Sequence, residues 1–255
     1  MNLPLTLALA ITAGLHAALY GAWKDSPHES FRITRFCREL AIAGCIGVVL
    51  YFVAFSCPFL VLLSAFALSR IATEFYKLFL RREKQNGYRI PTQVHWLGHV
   101  VTHRSVRFIL GIGYLAAIYG LYALLRLLPD STSPHLLGPV AGILLGTSLA
   151  IGGAYKDGFI EGFYLRKFVK SPLAAALGGW IVSFHTGSPA FIVLGAMALE
   201  RMFNELFFKL LRPGYVPGKF KSEVARYPEW LALRKRFIGP YVLTWIVIVA
   251  LGAFW

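Results

Sequence analysis

"GAWKDSPHESF" occupies residues 21–31 and "GAYKDGFIEGF" residues 153–163, each directly behind a long apolar run. Gly21, Ala22, Lys24, Asp25, Glu29, Phe31 and Phe36 recur at an offset of 132 as Gly153, Ala154, Lys156, Asp157, Glu161, Phe163 and Phe168. Arg35 and Arg38 return as Lys167 and Lys170. At an offset of 131, Pro58, Leu68, Arg70, Glu74, Leu80 and Arg81 return as Pro189, Leu199, Arg201, Glu205, Leu211 and Arg212. "GYRIP" is echoed by "GYVP", and "RFI" at Arg107 by "RFI" at Arg236. A repeat of this period makes half the chain the unit of architecture. The chain therefore reads as a tandem duplication: residues 1–128, a linker over 129–136, and residues 137–255.

The apolar fraction is 57%, and the mean hydropathy is +0.60. Soluble domains carry roughly 45–50% apolar residues, and several segments here exceed the roughly 17–25 residues needed to span hydrocarbon as helix. Strands are excluded by pattern, because "LPLTLALAITAGLHAALYGA" and "GPYVLTWIVIVALGAFW" are apolar on every face, whereas barrel strands alternate. The expectation is an all-α polytopic membrane protein with eight helices at 3–22, 40–55, 58–79, 108–128, 137–155, 172–186, 189–210 and 238–255. The second and sixth are short and end in "FSCPF" and "FHTGSPAF", so each reads as a full span or as a re-entrant segment. The N-terminus lacks a basic n-region, which makes the first apolar stretch a retained helix. Cys37, Cys45 and Cys57 form no CxxC pair and read as small buried residues.

Charge placement sets orientation. Of 26 Lys and Arg, 25 lie in or beside 23–39, 70–107, 156–170 and 201–236, leaving Arg126 at the other face. The positive-inside rule makes those segments cytoplasmic and both termini non-cytoplasmic, in a plasma membrane or a bacterial or archaeal inner membrane. The net charge of +14 is accounted for by topology and by attraction to anionic lipid, without nucleic acid. Four helices per half, an even number, give both copies one orientation and a pseudo-two-fold axis along the membrane normal.

Three features carry candidate chemistry. In the opening phrase, Lys24 and Lys156 read as helix ends, with Asp25 or Ser26 capping a corner and Phe31 and Phe36 on a short interfacial helix. The second copy replaces Ser26 by Gly158 yet keeps Asp157 and Glu161, which a capping box alone does not require. Carboxylates one helical turn apart, Asp25 with Glu29 and Asp157 with Glu161, suit a magnesium ion set against a phosphate. The second feature is Arg70 with Glu74 and Arg201 with Glu205, each pair sharing a helix face; it reads as a structural ion network or as a polar bowl that grips phosphate and moves protons. Glu200 and Asn204 join the second pair, where the first copy has Ser69 and Thr73. The third is His95, His99 and His103, spaced by four, which on a helix form one stripe with metal-ligand spacing. His16 and His185 read as packed, hydrogen-bonded groups.

No Walker A, GxSxG, aspartate-rich prenyltransferase or HExxH motif is present. The leading reading is a membrane enzyme acting on a phosphate-bearing lipid or lipid-linked intermediate. In it Asp25, Glu29, Asp157, Glu161, Glu74 and Glu205 supply acid, base or metal-binding groups, and Lys24, Lys156, Arg70 and Arg201 hold phosphate. The alternatives are a transporter or channel for an anionic or proton-coupled solute, and a non-catalytic subunit of a membrane complex.

Overall fold

Asn2 opens the first helix by accepting a 3.0 Å hydrogen bond from the Leu5 N–H, with Pro4 already set for the first turn. Pro58, Pro134 and Pro189 stand at the starts of three others, where a missing N–H costs nothing. The computed structural model describes residues 1–53, 57–129, 131–212, 215, 217, 219–220 and 224–255. Its helices are α1 (Leu3–Glu29), α2 (Ile33–Phe52), α3 (Pro58–Phe75), α4 (Arg104–Leu125), α5 (Pro134–Glu161), α6 (Leu165–Ser183), α7 (Pro189–Glu205), the short α8 (Glu229–Leu233) and α9 (Ile238–Phe254). π-helical turns continue α3 through Tyr76–Leu80 and α7 through Leu206–Leu210. Strands β1 (His95–Trp96) and β2 (His99–Val100) form a small hairpin before α4. Among the described residues, five helical stretches are long and apolar enough to cross a membrane: α1, α3 with its π turn, α4, α5, and α8 through α9. The chain is helical with membrane-like helices, compatible with an integral membrane protein.

The chain divides into two compact units, one of Met1–Arg70, Gly214–Pro217 and Ser222–Trp255, the other of Ile71–Pro213 and Gly218–Lys221. In the first, α1 packs against α2 and α9. The crossing of α1 and α2 is close: a Cβ added at Gly14 would stand 2.8 Å from that of Ala43, and one at Gly47 would stand 2.7 Å from that of Ala10. His16 lies wholly buried in α1, bonded to the Thr244 hydroxyl at 2.8 Å and packed against Phe66 and Tyr241, as expected for a structural histidine.

In the second unit α6 packs against both α5 and α7. A Cβ at Gly142 would lie 2.2 Å from the Ala175 carbonyl oxygen, and one at Gly179 would lie 2.1 Å from that of Gly138. Such contacts are backbone against backbone. Lipid tails are as apolar as leucine, so helices in a bilayer associate by close packing, and glycine permits the approach.

α1 leaves its helix at Ser30, φ 62°, and α5 leaves at Gly162, φ 78°; each N–H still bonds the carbonyl four residues back at 3.0 Å. Glycine adopts this geometry freely, whereas Ser30 pays about 1–2 kcal/mol for its Cβ. The lysines of the opening phrase are therefore not helix ends, which corrects the expected corner and capping box. Lys24 and Lys156 lie inside the last turns of α1 and α5. At 28 residues α5 rises about 42 Å against a hydrocarbon core of about 30 Å, so charged turns extend past the apolar stretch. Pro27 is tolerated because only the final turn lies beyond it.

Three further expectations are corrected. The basic stretches after Ser30 and Gly162 are the first turns of α2 and α6, not separate interfacial helices. Cys37 and Cys45 are exposed on α2 and Cys57 is half-buried, so none of the three is the buried residue expected. Residues 95–103 are a hairpin, because Leu97 (φ 47°) and Gly98 (φ 87°) form the left-handed pair of a type I′ turn, which no helix accommodates. The expected end of the second helix at 54–55, and Gly214 and Val216 of the "GYVP" echo, lie outside the described residues.

Gly142→Ala should destabilise the protein by about 1–3 kcal/mol, since its Cβ meets unyielding backbone. Gly153→Ala on the same helix has nothing within 4 Å and should stabilise by about 0.5–1 kcal/mol. Thermal unfolding of both purified variants in one detergent checks the opposite signs.

Candidate functional site

The end of α5 in the second unit brings charge together. Asp157 and Glu161, one turn apart on one face, both accept from Lys167 in the first turn of α6, at 2.7 and 2.8 Å. Burial lowers the Lys167 pKa and the two carboxylates raise it by more, so the net shift is upward. Its ammonium stands between the oxygens that a bridging metal would use. Among the described residues no three His, Cys, Asp or Glu side chains form a metal-holding group.

One turn further along α6, Ser171 hydrogen-bonds Glu200 of α7. Glu200 also accepts from the Asn204 amide at 2.6 Å. Arg201 donates from Nε to Glu205 at 2.7 Å, so the spacing of four does pair them, and Glu205 is 1% exposed. Lys170 sets its ammonium 4.4 Å from the ring centre of Phe208 in the π turn. Helix α6 is thus a polar seam, turned to α5 through Lys167 and to α7 through Ser171.

The first unit contains the same corner built from other residues. Glu29 accepts from Arg35, 132 positions before Glu161 and Lys167. Phe31 meets Phe36 at 6.0 Å and 63°, as Phe163 meets Phe168 at 5.7 Å and 55°. Lys24 lies 3.6 Å from Asp25. Arg70 approaches Glu39 of α2 at 3.7 Å, and Glu39 also accepts from Arg38 at 3.2 Å. In the second unit, Glu74 takes both its oxygens to Lys77 at 3.0 Å.

Aligning these contacts exposes an exchange. Glu39 and Ser69 stand at the places that Ser171 and Glu200 hold further on, at offsets of 132 and 131. A carboxylate stands at each place, supplied by α2 in the first unit and by α7 in the second.

The hairpin of β1 and β2 rests on α5. His95 stacks on Tyr155 at 5.6 Å and 7°, and the Tyr155 hydroxyl donates to the His95 carbonyl at 3.0 Å. The ring is bonded to the Lys156 backbone and accepts from the Gly98 N–H at 3.2 Å. Burial and the Lys156 charge hold the His95 pKa below 6.5, partly opposed by Asp157. His99 stands across from Trp96, and His103 precedes α4, so the three histidines do not form the expected stripe. Tyr155 and Ser171 were not singled out in the sequence; only the fold brings the hairpin to Tyr155, while Ser171 is visible as the partner of Glu39 in the repeat. Comparison of the chain with protein-family models, with curated proteins and with solved structures finds no match.

The lowered His95 pKa gives the docked hairpin a pH dependence. Just below pH 6.5 a detached His95 binds more proton than the docked one, so docking is strongest above that value and weakens as pH falls through the window beneath it. Hydrogen exchange of the hairpin amides at pH 7.5 and 5.5 should show this loss, and His95→Phe, which keeps a ring on Tyr155, should flatten it.

Proposed function

We propose that the chain is an integral membrane protein made by tandem duplication, with its basic segments and their carboxylates at the cytoplasmic leaflet and both termini on the other side. The site binds a phosphate-bearing lipid or lipid-linked intermediate and acts on it by acid–base chemistry. The observation that carries this reading is Lys167 shared by Asp157 and Glu161 at the end of a long apolar helix, with Glu29 and Arg35 as its counterpart. The equivalent left-handed exits and Phe pairs at matched positions, with π turns one residue out of that register, support the duplication; one orientation for both copies requires an even number of spans in each.

A carboxylate whose charge is held by a shared ammonium is a poor base; the reaction therefore needs that cation withdrawn. A phosphate ester supplies the means. Its anionic oxygens are strong acceptors for Lys167 and Lys156, and turning the ammonium to phosphate leaves Asp157 or Glu161 free to take a proton. In the first unit Asp25 and Glu29 stand in the matching role, with Lys24 and Arg70 as the phosphate-holding cations; in the second, Glu74 and Glu205 are paired with Lys77 and Arg201 and need the same release before they move a proton. Magnesium at Asp157 and Glu161 would compete with Lys167 for the same oxygens. The buried His16–Thr244 pair, inside a candidate span, favours a second reading as a proton-coupled transporter.

Intact-lipid mass spectrometry on the purified protein should find a co-purifying anionic lipid. Asp25→Asn and Asp157→Asn should fold normally and abolish its turnover; retention of full turnover by both ends the enzyme reading. Solute flux in proteoliposomes that disappears in Glu74→Gln or Glu205→Gln would instead select the transporter.

A further inference from the structure

An open cleft of about 350 Å3 in the second unit is lined by Arg82, Glu83, Lys84, Gln93, Thr102 and Arg107. It lies where the segment after the π turn of α3 meets the foot of α4. Arg107, in the first turn of α4, is only 4% exposed. Its Nη2 donates to the carbonyls of Leu78 and Arg81, at 3.1 and 2.6 Å, which fixes the plane of the guanidinium. Its Nε is buried and has no hydrogen-bond partner among the described residues.

The charges around Arg107 do not balance it. Glu83 is the carboxylate in the lining, and it is already engaged by Arg81 at 2.5 Å, by the Tyr88 hydroxyl at 3.3 Å and by the Thr92 hydroxyl at 3.4 Å. Arg82 acts on Arg107 as a like charge, and neither Arg82 nor Lys84 has a carboxylate partner among the described residues. Three cations therefore share one cleft with an acid committed elsewhere. A buried guanidinium held only by carbonyls is costly, and an anion whose oxygens accept its remaining N–H groups is the partner that relieves it.

We propose that this cleft binds a phosphate-class anion, with Arg107 as the preset cation, offering the donors that the two carbonyls leave over, and Arg82 and Lys84 closing over the ligand from the lip. The chemistry is shared by the phosphate of an anionic lipid headgroup and by free phosphate. The foot of an apolar helix long enough to span a bilayer places the cleft within reach of headgroups. The site is independent of the duplicated carboxylates: Arg236, the repeat counterpart of Arg107, is exposed in the turn Arg234–Phe237.

Arg107 also ties down the end of the π turn, so its removal threatens the fold. The decisive variant is R82Q/K84Q, which changes the lip and breaks no hydrogen bond in the structure. The full chain is purified in uncharged detergent and titrated by calorimetry with inorganic phosphate, and with dihexanoyl phosphatidic acid against dihexanoyl phosphatidylcholine as the zwitterionic control. Saturable binding of either phosphate probe, weakened about tenfold or more in R82Q/K84Q, supports the site. Binding of phosphatidic acid alone names a headgroup, binding of phosphate alone names the free anion, and competition between the two shows one shared subsite. No binding of either probe, equal binding of phosphatidylcholine, or affinity unchanged in R82Q/K84Q overturns it.

Discussion

The approach of α5 to α6 is the contact on which the second unit turns. With Gly138 against Gly179 and Gly142 against Ala175, the two backbones meet without side chains between them. Where the solvent is lipid, burial of apolar surface does not draw helices together, and dispersion over a close contact has to. This also fixes register. Once these residues coincide, the first turn of α6 stands beside the last turns of α5, and Lys167 falls between Asp157 and Glu161. A polar cluster is placed by a nonpolar constraint.

Much of the architecture was legible in the residues. α3 and α7 begin at Pro58 and Pro189 as read, because proline at a first turn is a local signal, whereas α2 and α6 begin at Ile33 and Leu165, seven residues before the expected 40 and 172, since their first turns are basic rather than apolar. Helix ends were less legible. α1 and α5 run on to Glu29 and Glu161 through Lys, Asp and, in α1, Pro, and end where Ser30 and Gly162 take a positive φ. Gly162 signals such a residue by its identity, whereas Ser30 gives no such sign. The histidine spacing misled for a related reason: periodicity assumes a helix, and a two-residue turn at Leu97 and Gly98 removes the assumption.

The site was legible in membership and less so in pairing. Asp157, Glu161, Arg201 and Glu205 were visible as charged residues at the margins of apolar segments, and the Arg201–Glu205 contact follows from helical spacing alone. Contacts between helices do not follow from spacing. That Lys167 crosses from α6 to bind α5, that Arg70 turns to Glu39, and that Tyr155 carries a hairpin from sixty residues earlier all depend on which helices lie side by side.

Glu39 on α2 and Glu200 on α7 each place one carboxylate between helices. If only helix packing mattered, a serine on each side would satisfy it and bury no charge, since an unpaired ion in a low-dielectric setting costs several kcal/mol. Instead one acid is present each time. In the first unit Glu39 answers Arg70 and Arg38 directly. In the second, Arg201 is turned to Glu205, and Glu200 is held by the neutral donors Ser171 and Asn204. The first crossing is therefore a closed ion pair, and the second keeps a carboxylate bound by groups that do not neutralise it. The cations differ in the same direction. Arg35 carries a permanent charge on a planar fork suited to a fixed carboxylate, whereas Lys167 is a single ammonium on a flexible stem that can be drawn to another acceptor. Of the two related corners, the first is built as a clamp and the second retains the polar freedom that binding an anionic ligand requires.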